Sequence, residues 1–286
     1  MHLYQEQTKI FLKMNFNNFR PQSVLLAFVF SLTLGTVNAQ DKPEESAADL
    51  AKKLSNPIAS LISVPFQNNM DVGIGVYNGS RNTLNFQPVL PISLSPKLNM
   101  ITRMVLPIIS QQDISAPGIK ESGLSDATVS ALFSPAVAKN GLTWGVGPIL
   151  LVPTATDKLL GTEKLGVGPT AIILKQANGW TYGALVNQIW SIAGSDERAD
   201  VNQMFLQPFF VYNWKSGAGL GGNFEITENW EGNTTAVFFN PTISGITQLG
   251  NQKVQLVIGP RIPLAMPENA RPDFGVRAMV SFVFPK

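Results

Sequence analysis

From about position 58 onwards, apolar and polar residues alternate with period two, the mark of strands with two unlike faces. Between Leu84 and Leu94 one face carries Leu84, Phe86, Leu90, Ile92 and Leu94, while Asn85, Gln87 and Ser93 lie opposite. Farther on, Val254, Leu256, Ile258, Ile262 and Leu264 oppose Gln255, Gly259 and Arg261. The last run sets Phe274, Val276, Ala278, Val280, Phe282 and Phe284 against Gly275, Arg277, Met279 and Ser281. The pattern predicts strands over 58–68, 82–94, 97–109, 123–134, 141–153, 164–175, 179–192, 200–213, 217–229, 233–247, 252–265 and 272–284. Before them, SAADLAKKL (46–54) predicts one short helix, ended by Asn56-Pro57 because proline cannot continue it.

A soluble sandwich alternates in the same way, so periodicity alone leaves the architecture open. Three features turn the reading towards a transmembrane antiparallel β-barrel of about twelve strands. Connections are short at 95–96, 135–140, 176–178, 215–216 and 248–251, and longer at 69–81, 110–122, 154–163, 193–199 and 266–271, with 229–232 the exception. Short turns on one rim and longer loops on the other are the habit of outer-membrane barrels. The tryptophans lie at strand ends: Trp144, Trp180 and Trp214 towards the short-turn rim, Trp190 and Trp230 towards the other. A soluble core would draw them to strand centres. The chain also closes on an aromatic strand, Val280-Ser281-Phe282-Val283-Phe284, followed by Pro285-Lys286, and resembles the insertion signal read by the barrel assembly machinery.

Composition agrees with export and membrane residence. Val24 to Leu34 is an apolar run too short to span a bilayer, led by Lys13 and Arg20 and followed by Val37-Asn38-Ala39. This order predicts a signal peptide over 1–39 cleaved after Ala39, with Met14 as an alternative start. Its removal takes Lys9, Lys13, Arg20 and Glu6, leaving equal numbers of acids and bases and no basic face for nucleic acid. Only 14% of the chain is charged, against roughly 25% in soluble domains. No later apolar segment reaches helix-spanning length, and a closed barrel is the other way across a membrane. Residues 40–57 are then a short periplasmic or plug helix and 58–286 the barrel, placed in the bacterial outer membrane as a multi-pass protein. Six prolines inside the strands, Pro88, Pro148, Pro169, Pro208, Pro241 and Pro260, fall on the apolar phase. They predict a repeated bulge or bend on the lipid face, or strands divided in two.

The segments NPIASLISVPFQNN (56–69), FQPVLPISLSPKLNMITRMVLP (86–107), WGVGPILLVPTAT (144–156) and GVGPTAIILKQANGW (166–180) resemble an outer-membrane transporter family grouped with proteins of the MetA pathway of phenol degradation. The resemblance covers essentially the whole mature chain and rests on strands and turns. It implies passage of small molecules, aromatic or apolar ones included, across the outer membrane.

Enzyme chemistry finds little support. The sole histidine, His2, lies in the predicted leader, so a Ser–His hydrolase lacks its base. Glu225 and Glu228 are three apart and point to opposite faces of a strand. Gly217-Ala218-Gly219-Leu220-Gly221-Gly222 matches a nucleotide-loop pattern but opens a strand rather than a helix. Asp196, Glu197 and Asp200 read as a solvated rim, and the absence of cysteine excludes disulfides and thiolate metal sites. No cofactor or metal is expected.

Function therefore falls to the lumen. The inward phases give Asn85, Gln87, Asn99, Arg103, Asp126, Gln203, Gln207, Asn223, Glu225, Thr227, Arg261 and Arg277. Of these, Arg103, Asp126, Gln203, Gln207, Asn223, Glu225, Arg261 and Arg277 are the candidate selectivity residues. Phe205 and Phe209 share the phase of Gln203 and Gln207, which suits an amphipathic solute or a plugged barrel equally. The leading expectation is a channel or transporter for small solutes, with membrane lipid and the solute as partners. A non-conducting structural or assembly barrel is the alternative, and a membrane enzyme a distant third.

Overall fold

A computed structural model describes residues 45–284. The predicted leader with its cleavage site, Met14, His2, residues 40–44 and Pro285-Lys286 lie outside the described residues. Helix α1 spans Ala47–Leu54, and its N-cap Ser46 accepts a hydrogen bond from the Asp49 amide. Strands follow as β1 (Ile62–Ile74), β2 (Gly79–Phe86), β3 (Val89–Ser95), β4 (Leu98–Gln112), β5 (Lys120–Leu124), β6 (Ala127–Pro135) and β7 (Leu142–Val152). They continue as β8 (Lys164–Ala177), β9 (Trp180–Gly194), β10 (Asn202–Asn213), β11 (Gly219–Asn229), β12 (Thr234–Leu249), β13 (Gln252–Ala265) and β14 (Phe274–Phe284).

Antiparallel pairing runs round the molecule, and β14 closes on β1 from Ile62↔Phe284 to Val72↔Phe274. The fourteen strands form twelve staves, because two staves are each made of two strands. β2 and β3 lie end to end along one side of β4, parted at Gln87-Pro88, and β5 and β6 lie along its other side, parted at Ser125-Asp126. With an even number of staves, the start of β1 and the end of β14 share the short-turn rim.

Two expectations need correction. β1 runs on to Ile74, so the connection to β2 is a tight turn over 75–78 rather than a long loop over 69–81. The 110–122 connection likewise shrinks to 113–119, since β4 reaches Gln112 and β5 starts at Lys120. In both places polar residues that read as loop are inward-facing strand. None of the six prolines named above produces a bulge. Val167↔Trp190 and Thr170↔Asn187 keep one register past Pro169, and Leu206↔Ile226 and Phe209↔Asn223 keep one past Pro208. Proline removes a single ladder donor without inserting a residue, so register is preserved. Glycine before it helps the neighbouring strand approach: a Cβ on Gly168 would sit 1.6 Å from the Gln188 carbonyl oxygen. Only Pro88 coincides with a divided stave.

The apolar phase faces outwards and stays exposed. Ile243 is 59% and Ile258 52% accessible, whereas the opposite phase buries Asn240, Arg277 and Ser281. This inverts a soluble core and makes the outer band a lipid-facing surface. Trp144, Trp180 and Trp214 are exposed near the short-turn rim and Trp190 and Trp230 near the other, with Tyr212 between Trp180 and Trp214, tilted against the first at 5.1 Å and edge-on to the second at 5.3 Å. A cation at the centre of the lipid face costs roughly 2–4 kcal/mol. Ile258→Arg is therefore expected to lower the heat-modifiable, folded fraction in outer membranes, while Val257→Arg, on the inward phase, leaves more protein assembled. Equal yields would show the strand phase to be wrong.

Candidate functional site

At the short-turn end, α1 and the segment after it enter the lumen. Leu50 and Leu61 pack with Val283, and Leu54, Ala59 and Ile246 border them. Ile58 joins the inward side chains Ile101, Leu132, Ile172, Leu174 and Leu185, with Val89, Phe205 and Phe209 against the same cluster. These residues come from β3, β4, β6, β8, β9 and β10, so Ile58 reaches across the barrel. Polar contacts fix the segment: Asn213 Nδ2 donates to Ser55 Oγ at 2.8 Å, Asn99 Nδ2 to Ser60 Oγ at 3.0 Å, and Gln176 Nε2 to the Lys52 carbonyl at 2.8 Å. Gly217, singled out for its nucleotide-loop pattern, sits in the β10–β11 turn against Ala47.

Farther along the lumen, charged side chains form an arc. Arg261 Nη1 donates to Glu225 Oε2 at 2.5 Å, and Arg277 Nη2 to Glu225 Oε1 at 2.7 Å. Arg261 Nε lies 3.2 Å from Asp71 Oδ1, its guanidinium carbon is 3.5 Å above the Phe238 ring, and Nη1 also reaches Asn240 Oδ1 at 3.3 Å. Asn240 in turn donates to Asn223 Oδ1 at 3.0 Å, and Arg277 Nε to Asn69 Oδ1 at 2.8 Å. The arc extends along paired positions, since Asp71 faces Arg81, Arg81 faces Gln111, and Gln111 faces Glu121. Arg81 Nε donates to Gln111 Oε1 at 2.8 Å, and Gln111 Nε2 to Glu121 Oε2 at 3.3 Å. Gly275 leaves the space for this packing, because a Cβ there would lie 2.3 Å from Asp71 Oδ1.

Arg103 stands apart from the arc. Its side-chain partner is an amide, with Nη2 donating to Gln87 Oε1 at 2.7 Å. The carboxylate whose field reaches it is Glu225, which Arg261 and Arg277 already share. Counted over these side chains, four arginines (Arg81, Arg103, Arg261, Arg277) meet three carboxylates (Asp71, Glu121, Glu225), and Arg103 is the surplus. Gln207 and Arg103 both line a chamber of about 200 Å³ above Asn56, Pro57 and Ala59.

Gln203 belongs to a different space, a cavity of about 750 Å³ towards the long-loop rim that also touches Asp126, Ile189 and Arg198. Asp126, also a candidate selectivity residue, is engaged by a loop instead. It accepts hydrogen bonds from the Thr162 amide at 2.6 Å, Thr162 Oγ1 at 2.7 Å and the Ala155 amide at 3.2 Å. It therefore latches the 153–163 loop to the gap between β5 and β6. Of the acidic rim, Asp200 accepts from Lys164 Nζ at 2.9 Å and Ser191 Oγ at 3.0 Å. Those hydrogen bonds, Lys164 first, hold its carboxyl below the ordinary range. Glu228 lies on the outward phase and accepts from Thr235 Oγ1 at 2.5 Å, on the face opposite Glu225.

No protein-family model and no curated protein sequence matches the chain. Among solved structures, the chain is similar to the COG4313 outer membrane channel from Pseudomonas putida F1, with a TM-score of 0.64 and 16% identity over 79% of this chain and 96% of that one. The fold is that of an outer-membrane barrel. Two phospholipase structures match at a TM-score of 0.42: the outer membrane phospholipase A of Escherichia coli, 9% identical over 78% of this chain and 96% of that one, and the Salmonella typhi enzyme, 10% identical over 85% and 99%.

Within this barrel, the inward phases bring Glu225, Arg261, Arg277 and Asn223 together, set Arg103 and Gln207 around the inner chamber, and leave Gln203 and Asp126 at the outer cavity. Asp71, Arg81, Gln111 and Glu121 were missed, because they fall in stretches read as loops. The signal that would have found them is the polar alternation Gln67, Asn69, Asp71, which continues the β1 phase beyond Asn68.

Proposed function

We propose that the protein is an outer-membrane channel for small solutes, entered at the long-loop rim and closed at the short-turn end by α1 and residues 55–61. The observation that carries this reading is the pair of cavities, about 750 and 200 Å³, lined by inward residues of one barrel. A barrel serving only as structure has no need of such spaces, and fixed charges in a narrow lumen govern what passes. The Pseudomonas putida neighbour is itself a channel, which supports the same reading. The solutes include aromatic and apolar molecules, as the sequence resemblance implies. Lipid contacts the outer band, and the barrel assembly machinery recognises the aromatic last strand. The filled lumen end favours one competitor, a barrel that never conducts.

Reconstitution decides between them. Purified protein in planar bilayers is expected to show discrete conductance steps, and liposomes carrying it to take up small solutes. Absence of both would leave the non-conducting barrel. The mature protein is expected to fractionate with outer membranes and to shift on gels between heated and unheated samples.

A further inference from the structure

The inner chamber carries more hydrogen-bonding capacity than its walls use. Gln67, Gln87, Gln207 and Gln255 line it, contributed by β1, the β2–β3 gap, β10 and β13. Among the described residues, the side chains of Gln67, Gln207 and Gln255 have no hydrogen-bond partner, and Gln87 uses only its oxygen, towards Arg103. Ser281 Oγ is buried at the wall with no partner among the described residues. A buried hydroxyl left without a partner is destabilising, so such a group is kept where something can use it. Arg103 presents a five-donor fork of which one N–H is engaged within the protein. Leu54, Pro57, Ala59, Leu61, Val89 and Met279 give the chamber an apolar wall, beside the polar Lys53, Asn56 and Ser63.

These walls describe a ligand with two unlike ends. An arginine fork without a carboxylate partner matches a planar carboxylate, which it can hold by two parallel hydrogen bonds. Amides and a hydroxyl can serve the same oxygens from the sides. The apolar wall accepts a small hydrocarbon body, and a cavity of about 150 Å³ already holds a benzene ring, so about 200 Å³ leaves room for a ring and its carboxylate. A dicarboxylate would need a second cation, and Lys53, which also lines the chamber, is paired with Glu45.

We propose that the chamber bounded by Arg103, the four glutamines and the 54–61 segment is a binding site for small monocarboxylates, with the carboxylate on Arg103 and the body against the apolar wall. The proposal rests on the channel reading for its use in transport, but the binding itself does not require conduction. Calorimetric titration of the full mature protein in detergent, with benzoate as probe and benzyl alcohol as its uncharged counterpart, tests it. Benzoate is expected to bind at least tenfold more tightly than benzyl alcohol, and Arg103→Gln to weaken benzoate at least tenfold. Gln207→Leu, on another stave, is expected to weaken it as well and serves if the arginine variant does not assemble. Absence of benzoate binding, or equal binding by wild type and an assembled variant, overturns the proposal even if the protein conducts. Arginine-dependent binding by a protein without conductance or uptake upholds the site and removes the channel reading instead.

Discussion

Deletion of residues 45–60 is expected to raise single-channel conductance several-fold while the barrel still assembles. The deleted stretch contains α1, the Ser55–Asn213 and Ser60–Asn99 contacts and Ile58, the side chain that reaches the opposite wall. Leu50 and Ile58 are buried to 0% and 4% exposure, and burying such side chains contributes about 1.5–3 kcal/mol each. That holds the segment in place in the resting protein. The barrel has its own support, since β1 pairs with β14 and β2 without any residue of the deleted stretch. Planar-bilayer recordings of the deletion against wild type measure the effect, with gel heat-modifiability as the check on assembly. Unchanged conductance in an assembled deletion would place the limiting resistance elsewhere, at the charged arc.

The second large effect separates two arginines that look alike in sequence. Arg103→Gln is expected to shift the cation-to-anion permeability ratio several-fold towards cations with little loss of folded protein. Arg103 is the surplus positive charge, its protein partner is the neutral Gln87, and glutamine retains hydrogen-bonding capacity there. Two unit charges 4 Å apart interact by about 4 kcal/mol at an effective dielectric constant of 20, and about 1.4 kcal/mol is already tenfold in partitioning. Arg277→Gln also removes a positive charge, but its first consequence is structural. It takes from Glu225 one of two guanidinium partners and breaks the bond to Asn69. Breaking a buried ion pair costs about 3–5 kcal/mol. The thermal midpoint of Arg277→Gln is therefore expected to fall well below that of Arg103→Gln. Reversal potentials under a salt gradient and melting of the two single variants give both readouts. Selectivity unchanged by Arg103→Gln would reduce that arginine to packing, and equal melting would deny the ion-pair arc its structural share.

The amino-acid sequence by itself determined the strands, their phase and the closure of the barrel. Leu256 and Ile258 alternate with Gln255 and Val257, and a side-chain period of two assigns each residue a face before any partner is known. Short and long connections and the tryptophans at strand ends then distinguish a membrane barrel from a sandwich. Tertiary structure decided what the inward residues do. Glu225 and Arg277 are distant along the chain, and nothing local predicts that they share an ion pair while Arg103, equally inward, meets an amide. Asp126 was legible as inward but not as a latch, because its donors Ala155 and Thr162 arrive on a loop whose path depends on where β7 and β8 end. The ends of β1 and β5 were hidden for the same reason. Inside a polar lumen, Asp71 and Glu121 satisfy both strand and loop composition, and only pairing with Arg81 and Gln111 across the sheet settles which they are. Alternation is local and can be read from one strand, whereas charge pairing and lumen filling are set by closure, which brings all twelve staves round a common space.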